Sequence, residues 1–131
     1  MSSFEAALIG RLLADSGVAA LVGNRITWVQ RPQETALPAI TLQTITAPLG
    51  QTMDGIQETQ QATVQVDCWA TRHASGAALR DAVIAALIPA AEFDGVKFQR
   101  AFIPSRREGG EQGSNGFIYR QRIDFRLTFT A

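Results

Sequence analysis

The final stretch of the chain, residues 117–130, alternates between apolar and mainly polar side chains over fourteen positions. The first set is apolar except for one glutamine: Phe117, Tyr119, Gln121, Ile123, Phe125, Leu127 and Phe129. The second set is mostly polar and holds three arginines: Ile118, Arg120, Arg122, Asp124, Arg126, Thr128 and Thr130. Because successive side chains of a strand point to opposite faces of a sheet, this pattern predicts one long strand with an apolar and a polar face. Strands usually span ~5–6 residues, so this strand constrains the fold more than any other segment.

Shorter patterns predict the elements that precede this strand. Helical spacing of apolar residues predicts two principal helices, and alternation predicts four more strands. The predicted helices run from the N-cap Ser3 to a break at Asp15 and over residues 73–88, with a short helical turn over residues 18–22. The predicted strands cover residues 26–30, 39–46, 59–71 and 96–103. Two polar segments, residues 48–58 and 104–116, are predicted to be exposed, mobile loops.

The order of these elements predicts the fold class. Helix, two strands, a loop, a strand, a helix and two strands is an α+β pattern. We therefore expect a mostly antiparallel sheet of about five strands with two main helices on one face. The last two strands are expected to form a long C-terminal hairpin that reaches out of the body. A chain of 131 residues fits one domain, since single domains peak near ~100–150 residues, and we predict that this domain spans residues 1–131.

The inventory of reactive side chains argues against catalytic and metal sites. The chain has one histidine, His73, and one cysteine, Cys68. Nucleophilic catalysis needs a serine or cysteine beside a base, and a metal site needs clustered histidine, cysteine or carboxylate ligands. Asp54, Glu58 and Asp67 are dispersed, and although carboxylates can meet in space, nothing in their spacing favours a catalytic pair. We therefore predict no catalytic, metal-binding or cofactor-binding residue, and no enzyme activity.

The basic residues gather in the last third of a chain whose formal net charge is zero. Residues 1–96 hold five basic and nine acidic residues, whereas residues 97–131 hold seven basic and three acidic ones. This asymmetry predicts an oriented surface. Surfaces that bind single-stranded nucleic acid interleave aromatic and basic groups, but the arginines of the last strand lie on the opposite face from its aromatic residues. Specific nucleic-acid recognition is therefore not expected. Any contact with DNA that passes nearby is expected to be non-specific.

The distribution of apolar residues argues against membrane association. Hydrophobic residues make up 46% and charged residues 18% of the chain, which is a globular composition with a light charge load. No apolar run approaches the ~20 residues that span a bilayer. The first apolar residues are interrupted by Arg11 and followed by Asp15, unlike a secretory signal. We expect a soluble protein that is made in a cytoplasm and has part of its surface covered by partners.

Three stretches, in their order and at this chain length, resemble a known family. The stretches are residues 15–26 after the opening helix, Leu37-Pro38-Ala39-Ile40 after Arg31-Pro32-Gln33, and residues 64–70 followed by the helix over residues 77–87. They resemble the phage tail completion and tail-to-head joining proteins, the tail terminators, which are also found in prophages and gene-transfer agents. The resemblance covers essentially the whole chain, and it rests on packing and turn signals, none of which is a catalytic signature.

This resemblance implies an α+β fold with a curved sheet and a structural role in the virion. It implies a homo-oligomeric ring, usually a hexamer, at the head-proximal end of a tail tube, where the ring ends tube polymerisation and then offers a surface to the head–tail connector protein. It also implies DNA in the lumen, assembly in the host bacterial cytoplasm, contact with the tail tube protein, and no cofactor. Two other interpretations remain open: a neck, head-completion or other minor tail protein, and a generic α+β binding module.

Within that interpretation, certain residues are candidates for contact with partners. The predicted subunit interface or lumen residues are Trp69, Arg120, Arg122 and Arg126. Trp69 lies on the polar side of its strand, where it is either an exposed interface anchor or covered by a helix or loop. The predicted docking loops contribute Asp54, Glu58, Arg106, Arg107 and Glu108. These loops are expected to become ordered when a partner docks.

Overall fold

A computed structural model describes residues 4–30, 36–47, 51–52, 55–56, 59–113 and 116–130. Its helices are α1 (Phe4–Ala14), α2 (Ser16–Val22) and α3 (His73–Leu87). The strands of the N-terminal half are β1 (Ile26–Trp28), β2 (Ala39–Thr46), β3 (Gln51–Thr52), β4 (Gly55–Ile56) and β5 (Thr59–Ala70). The strands of the C-terminal half are β6 (Ala91–Phe93), β7 (Val96–Phe98), β8 (Phe102–Gly113) and β9 (Gly116–Thr130).

The long C-terminal strand β9 lies at the centre of the main sheet. The strand order is β1-β2-β5-β9-β7-β6, and β8 also pairs with β9. On one edge, β9 pairs antiparallel with β5 from Thr130↔Thr59 to Tyr119↔Ala70. On its other edge, β9 pairs with β8 over most of its length and with β7 at its end. The prediction of one long C-terminal strand is confirmed, and the structure adds its central place in the sheet.

The sheet is mixed, with one parallel pair at its edge. Strand β1 runs parallel to β2, with Ile26 opposite Ile40, while the remaining pairs of the main sheet are antiparallel. The α+β prediction is confirmed, and the expected count of about five strands becomes seven in the main sheet. The added strands come from β6, which the sequence did not reveal, and from the division of the predicted strand over residues 96–103 into β7 and β8.

The helices cover one face of the sheet and enclose the core. Apolar residues at alternate positions of β5 and β9 point to this face and are buried: Ala62, Val64, Val66, Cys68, Ala70, Ile123, Phe125, Leu127 and Phe129. The buried residues that the helices contribute to this core are Leu8, Leu12, Val18, Val22, Leu79, Val83 and Leu87. The break after α1 has a local cause, because the Asp15 carboxylate accepts a hydrogen bond from the Val18 backbone N–H at 3.0 Å and caps α2.

One prediction about the loops is wrong. Residues 104–116 were expected to form a mobile loop, but β8 extends to Gly113 and forms a regular ladder with β9. Two backbone hydrogen bonds fix the chain just before this strand begins. The Gln99 N–H donates to the Thr128 carbonyl, and the Ala101 N–H donates to the Ile88 carbonyl. In the other predicted loop, β3 and β4 form a short antiparallel pair. Asp54 and Glu58 lie outside the described residues.

In the part of the chain that the structure describes, no helix is both long and apolar enough to cross a membrane.

Candidate interaction surface

The sheet face opposite the helices is not covered by any helix of the described ranges, and we call it the open face. The strand registers place its residues side by side: Thr41, Gln43, Thr63, Gln65, Asp67, Trp69, Phe102, Ser105, Arg107, Arg120, Arg122, Asp124 and Arg126. Trp69 lies opposite Arg120, Asp67 opposite Arg122, and Thr63 opposite Arg126. The four predicted interface residues therefore share one face. Their contact with a partner stays a prediction.

Trp69 is half-buried beneath an arginine rather than under a helix or loop. Its indole N–H donates to the Thr41 hydroxyl at 3.0 Å. The Arg120 guanidinium lies 6.0 Å from the centroid of the Trp69 ring, at the outer limit of a cation–π contact. The tryptophan ring is thus held in place on two sides and retains part of its exposure, which suits a rigid anchor for a partner.

A glycine on the neighbouring strand makes room for the Arg120 side chain. Gly109 pairs with Arg120 across the β8–β9 ladder. A Cβ atom at Gly109 would lie 2.6 Å from an Arg120 guanidinium nitrogen, so a side chain there would displace the arginine from its position over Trp69. The sequence places Gly109 only within the predicted loop over residues 104–116, because the role of this glycine depends on the β8–β9 register.

A bidentate ion pair lies at the centre of the open face. Arg122 donates two hydrogen bonds to the Asp67 carboxylate, at 2.8 and 3.1 Å, and the Asp67 side chain is only 10% exposed. Hydrogen bonding to Asp67 raises the pKa of Arg122 above its ordinary value, against the opposing effect of burial. This arginine is therefore engaged within its own chain, and it offers less to a partner than the sequence suggested.

The other charges of the open face are held more loosely. Arg107 donates to Asp124 at 3.4 Å, and the Arg107 side chain remains 53% exposed. Arg126 is exposed, and among the described residues it forms no ion pair. Phe102, its neighbour across the ladder, is 65% exposed. Arg107, Arg126 and Phe102 are therefore the parts of the open face most available to a partner.

Two shielded polar atoms of the open face have no hydrogen-bond partner within the described ranges. They are the Nε of Arg120 and the Oδ1 of Asp124. One is a donor and the other an acceptor. Buried polar groups are nearly always paired with protein or ordered water, so each of the two atoms needs a partner that the described residues do not supply.

On the helix side, a polar cluster ties β8 to α3. The Glu108 carboxylate accepts hydrogen bonds from the Gln121 amide at 3.2 Å and lies 3.1 Å from His73 Nε2. Arg80 donates to the Gln121 amide oxygen at 3.3 Å. The hydrogen bonds from Gln121 and then from His73 lower the pKa of Glu108. Gln121, which interrupts the apolar series of β9, is 2% exposed, and its amide links strand and helix.

The three residues predicted in the second docking loop are strand residues. By register, Arg106 and Glu108 point to the helix side of β8, and Arg107 points to the open face. Glu108 is engaged with α3, so a docking role would have to break contacts within the chain. That these three residues touch a partner stays a prediction.

The cysteine and the histidine of the chain are both engaged in contacts that hold the fold together. Cys68 is completely buried, and burial, with a further contribution from Asp67, raises the pKa of its thiol far above the ordinary range. His73 contacts Glu108 and lies edge-on to Tyr119, with 6.1 Å between ring centroids. Over the described ranges, no group of three or more histidine, cysteine or carboxylate residues is arranged to hold a metal ion.

Comparisons with known proteins agree with the fold. A family model described as "Tail completion protein gp17" matches residues 6–129. A solved chain from the "Virion of native gene transfer agent (GTA) particle" superposes with a TM-score of 0.76 at 17% identity, covering 98% of this chain and 96% of that one. A second solved chain gives a TM-score of 0.54 at 14% identity, covering 95% and 92%. At these identities the structural likenesses show the fold alone. Curated proteins give no significant match.

Proposed function

This chain belongs to the tail completion protein gp17 family, and from that premise we propose that it forms a ring at the head-proximal end of a phage tail tube. Family membership makes it a structural protein of a phage-type tail. The proposed ring ends polymerisation of the tube protein and then presents a surface to the head–tail connector protein. DNA passes through the lumen of this ring and makes at most non-specific contacts.

The observation that carries the proposal is the family match over residues 6–129, nearly the full chain. Such a match includes both layers of the fold, the helices and the whole of the main sheet. A ring is built from heterologous contacts, in which one surface of a subunit meets a different surface of the next. The helix layer and the open face supply two different surfaces on opposite sides of one subunit, as a ring requires.

The residues that might have suggested an enzyme have structural uses that fit a virion protein. His73 and Glu108 tie β8 to α3, and Cys68 fills the core. A protein that terminates a tube acts through shape and complementary contacts, so it requires no nucleophile or general base.

Light scattering on purified components tests this proposal. The chain is fractionated by size-exclusion chromatography with in-line light scattering, alone and after mixing with tail tubes. We expect co-elution with tubes at a fixed small number of copies per tube, independent of tube length. Binding in proportion to tube length would indicate a lateral tube ligand, and a chain that stays monomeric with and without tubes would contradict the proposal.

A further inference from the structure

We propose that β8 (Phe102–Gly113) is a detachable cover for the outer edge of β9, which opens and re-pairs as a unit while the rest of the sheet stays folded. The opening takes place within a single chain, so it is independent of ring formation. Three features of β8 point to it: the exposure of its side chains, its composition and the polar contact that fastens it to α3.

Strand β8 contributes little to the core. It is described over its whole length, and none of its twelve residues is buried. Of its side chains, Ile103 alone belongs to those that pack partly against the buried cluster. On the other edge of β9, by contrast, β5 buries Val64, Val66 and Cys68 completely. Because burial of apolar surface is the main source of stability, β8 is held less firmly than β5.

The composition of β8 weakens its ladder with β9. Pro104 has no backbone N–H to donate, and the register with β9 shifts between Phe102 and Ser105. Three of the residues that follow are glycines, at positions 109, 110 and 113. A glycine weakens a strand because it loses the most conformational freedom on ordering and has no side chain to pack. Regular pairing therefore begins at Ser105 and continues through a glycine-rich segment.

A polar contact at Glu108 fastens β8 to the helix layer. The Glu108 carboxylate lies 3.1 Å from His73 Nε2 and accepts a hydrogen bond from the Gln121 amide at 3.2 Å. Arg80 of α3 approaches the same carboxylate oxygen at 4.0 Å. We call these four residues the latch. The Glu108 and His73 side chains are each 58% exposed, and contacts that water can reach contribute little to stability. The latch can therefore favour the closed strand without fixing it permanently.

The chain is anchored on both sides of the detachable strand. Before it, the Ala101 N–H donates to the Ile88 carbonyl at 2.9 Å, and Ala101 itself is buried. After it, β9 is held by its ladder with β5 along residues 119–130. Because both anchors stay in place, an opened β8 remains beside β9 and can pair with it again.

Opening of β8 changes the edge that β9 presents. Alternate residues of a central antiparallel strand direct their backbone N–H and C=O groups to one neighbour and then to the other. When β8 leaves, the groups of β9 that faced it lose their partners, whereas those that face β5 keep theirs. Aromatic and β-branched residues such as Tyr119, Ile123 and Phe125 favour strands, and an unpaired edge of this kind is a template for an added strand. The closed strand β8 therefore keeps a strand-accepting edge covered.

Hydrogen exchange of single amides, followed by NMR on the full chain, tests the proposal. Over residues 119–124, β9 pairs with β5 and β8 at the same time, so alternate amides report on the two neighbours. We expect the β8-facing amides to have protection factors about a hundredfold lower than the β5-facing amides. Low urea concentrations are expected to change these lower values little, because opening one exposed strand uncovers little surface. Equal protection on both sides would overturn the proposal, since β8 would then open only on global unfolding.

Two substitutions on the helix side of β8 test the latch. Glu108→Ala removes the acceptor that the latch shares, whereas Arg106→Ala changes an exposed residue of the same strand that is not part of the latch. We expect Glu108→Ala to lower the protection of the β8-facing amides about fivefold further, which corresponds to the loss of one net hydrogen bond. Arg106→Ala is expected to stay within about twofold of wild type. If Glu108→Ala leaves these amides unchanged, or acts no more strongly than Arg106→Ala, Glu108 does not hold β8 closed and the proposal is overturned.

Discussion

Arg11 lies almost wholly buried at the junction of α1 with the end of α3. It donates hydrogen bonds from one guanidinium nitrogen to the carbonyls of Ala86 and Pro89, at 2.9 and 3.0 Å. The guanidinium also lies 4.9 Å from the centroid of the Phe98 ring. The last carbonyls of a helix lack partners within the helix, and a positive charge is favourable at that end. This single residue therefore closes α3 and joins three elements.

Replacing this arginine is expected to destabilise the fold. The change Arg11→Met keeps much of the side-chain volume and removes both hydrogen bonds, which we expect to lower the free energy of unfolding by about 2 kcal/mol. Arg72→Met is the matched control, since the Arg72 side chain forms no capping bond at the start of α3. Urea denaturation measures both. Equal stability of the Arg11→Met variant and wild type would show that the two bonds contribute nothing.

The two ion pairs of the open face are expected to differ in strength because they differ in burial. Arg122→Met leaves the nearly buried Asp67 carboxylate without its partner, and we expect a loss of about 2 kcal/mol. Arg107→Met removes the more exposed pair with Asp124 and is expected to cost less than about 0.5 kcal/mol. Thermal and urea denaturation of the two variants check the order. A larger effect at Arg107 than at Arg122 would contradict it.

At the scale of secondary-structure elements, the β8–β9 hairpin owes its position to contacts with α3. Beyond the last β5–β9 pair, Ala70↔Tyr119, β9 continues and pairs only with β8. Two-stranded ribbons are marginally stable alone. Glu108 binds His73 and Gln121 just before this two-stranded part begins, and Phe117 packs edge-on against Tyr119 at 5.0 Å. The hairpin is thus braced against the helix at its base.

This contact predicts a pH dependence of stability. Because the pKa of Glu108 is lower in the folded chain than in the unfolded one, the carboxylate stabilises the fold above the ordinary glutamate pKa of about 4.3. That contribution is lost as the pH falls through the lowered value. In Glu108→Gln the group no longer titrates. We expect the melting temperature of wild type to exceed that of the variant at neutral pH, and the difference to vanish at strongly acidic pH. A constant difference across this range would contradict the assignment.

Element prediction succeeded where the local pattern and the tertiary environment agree. Strand β2 was predicted with its observed bounds, and β5 and α3 to within one residue at their ends, because each has a regular apolar face. Strand β8 was missed because its polar, glycine-containing sequence has low strand propensity. It becomes a strand by pairing with the edge of β9, an example of tertiary context that overrides propensity.

For the candidate surface, the sequence predicted which side of each strand certain residues occupy, but it did not predict which residues contact one another. Alternation alone placed Trp69 and the arginines of β9 on polar faces, which the structure confirms. Whether those faces coincide, and which charges pair, depends on the registers between strands. The sequence by itself does not specify that Asp67 lies opposite Arg122, so it overstated the number of arginines available to a partner.

At the scale of the whole molecule, the subunit has two dissimilar sides. One side is the helix layer, and the other is the open face with its arginines, aspartates and aromatic anchors. A head-to-tail contact between two different surfaces closes into a ring when the rotation between neighbours allows it. A net charge of zero also leaves little long-range repulsion between copies. The alternation of apolar and polar residues in β9 therefore separates the two sides of the subunit.

Electron microscopy of tail tubes tests the central claim, that this chain ends tube polymerisation, most directly. Tube protein is polymerised with and without the chain, and the length distribution and both tube ends are imaged over time. The account predicts that tubes stop lengthening once the chain is present, and that each carries a ring of extra density at one end only. Tubes that lengthen at an unchanged rate and have bare ends, in the presence of folded chain, would contradict it.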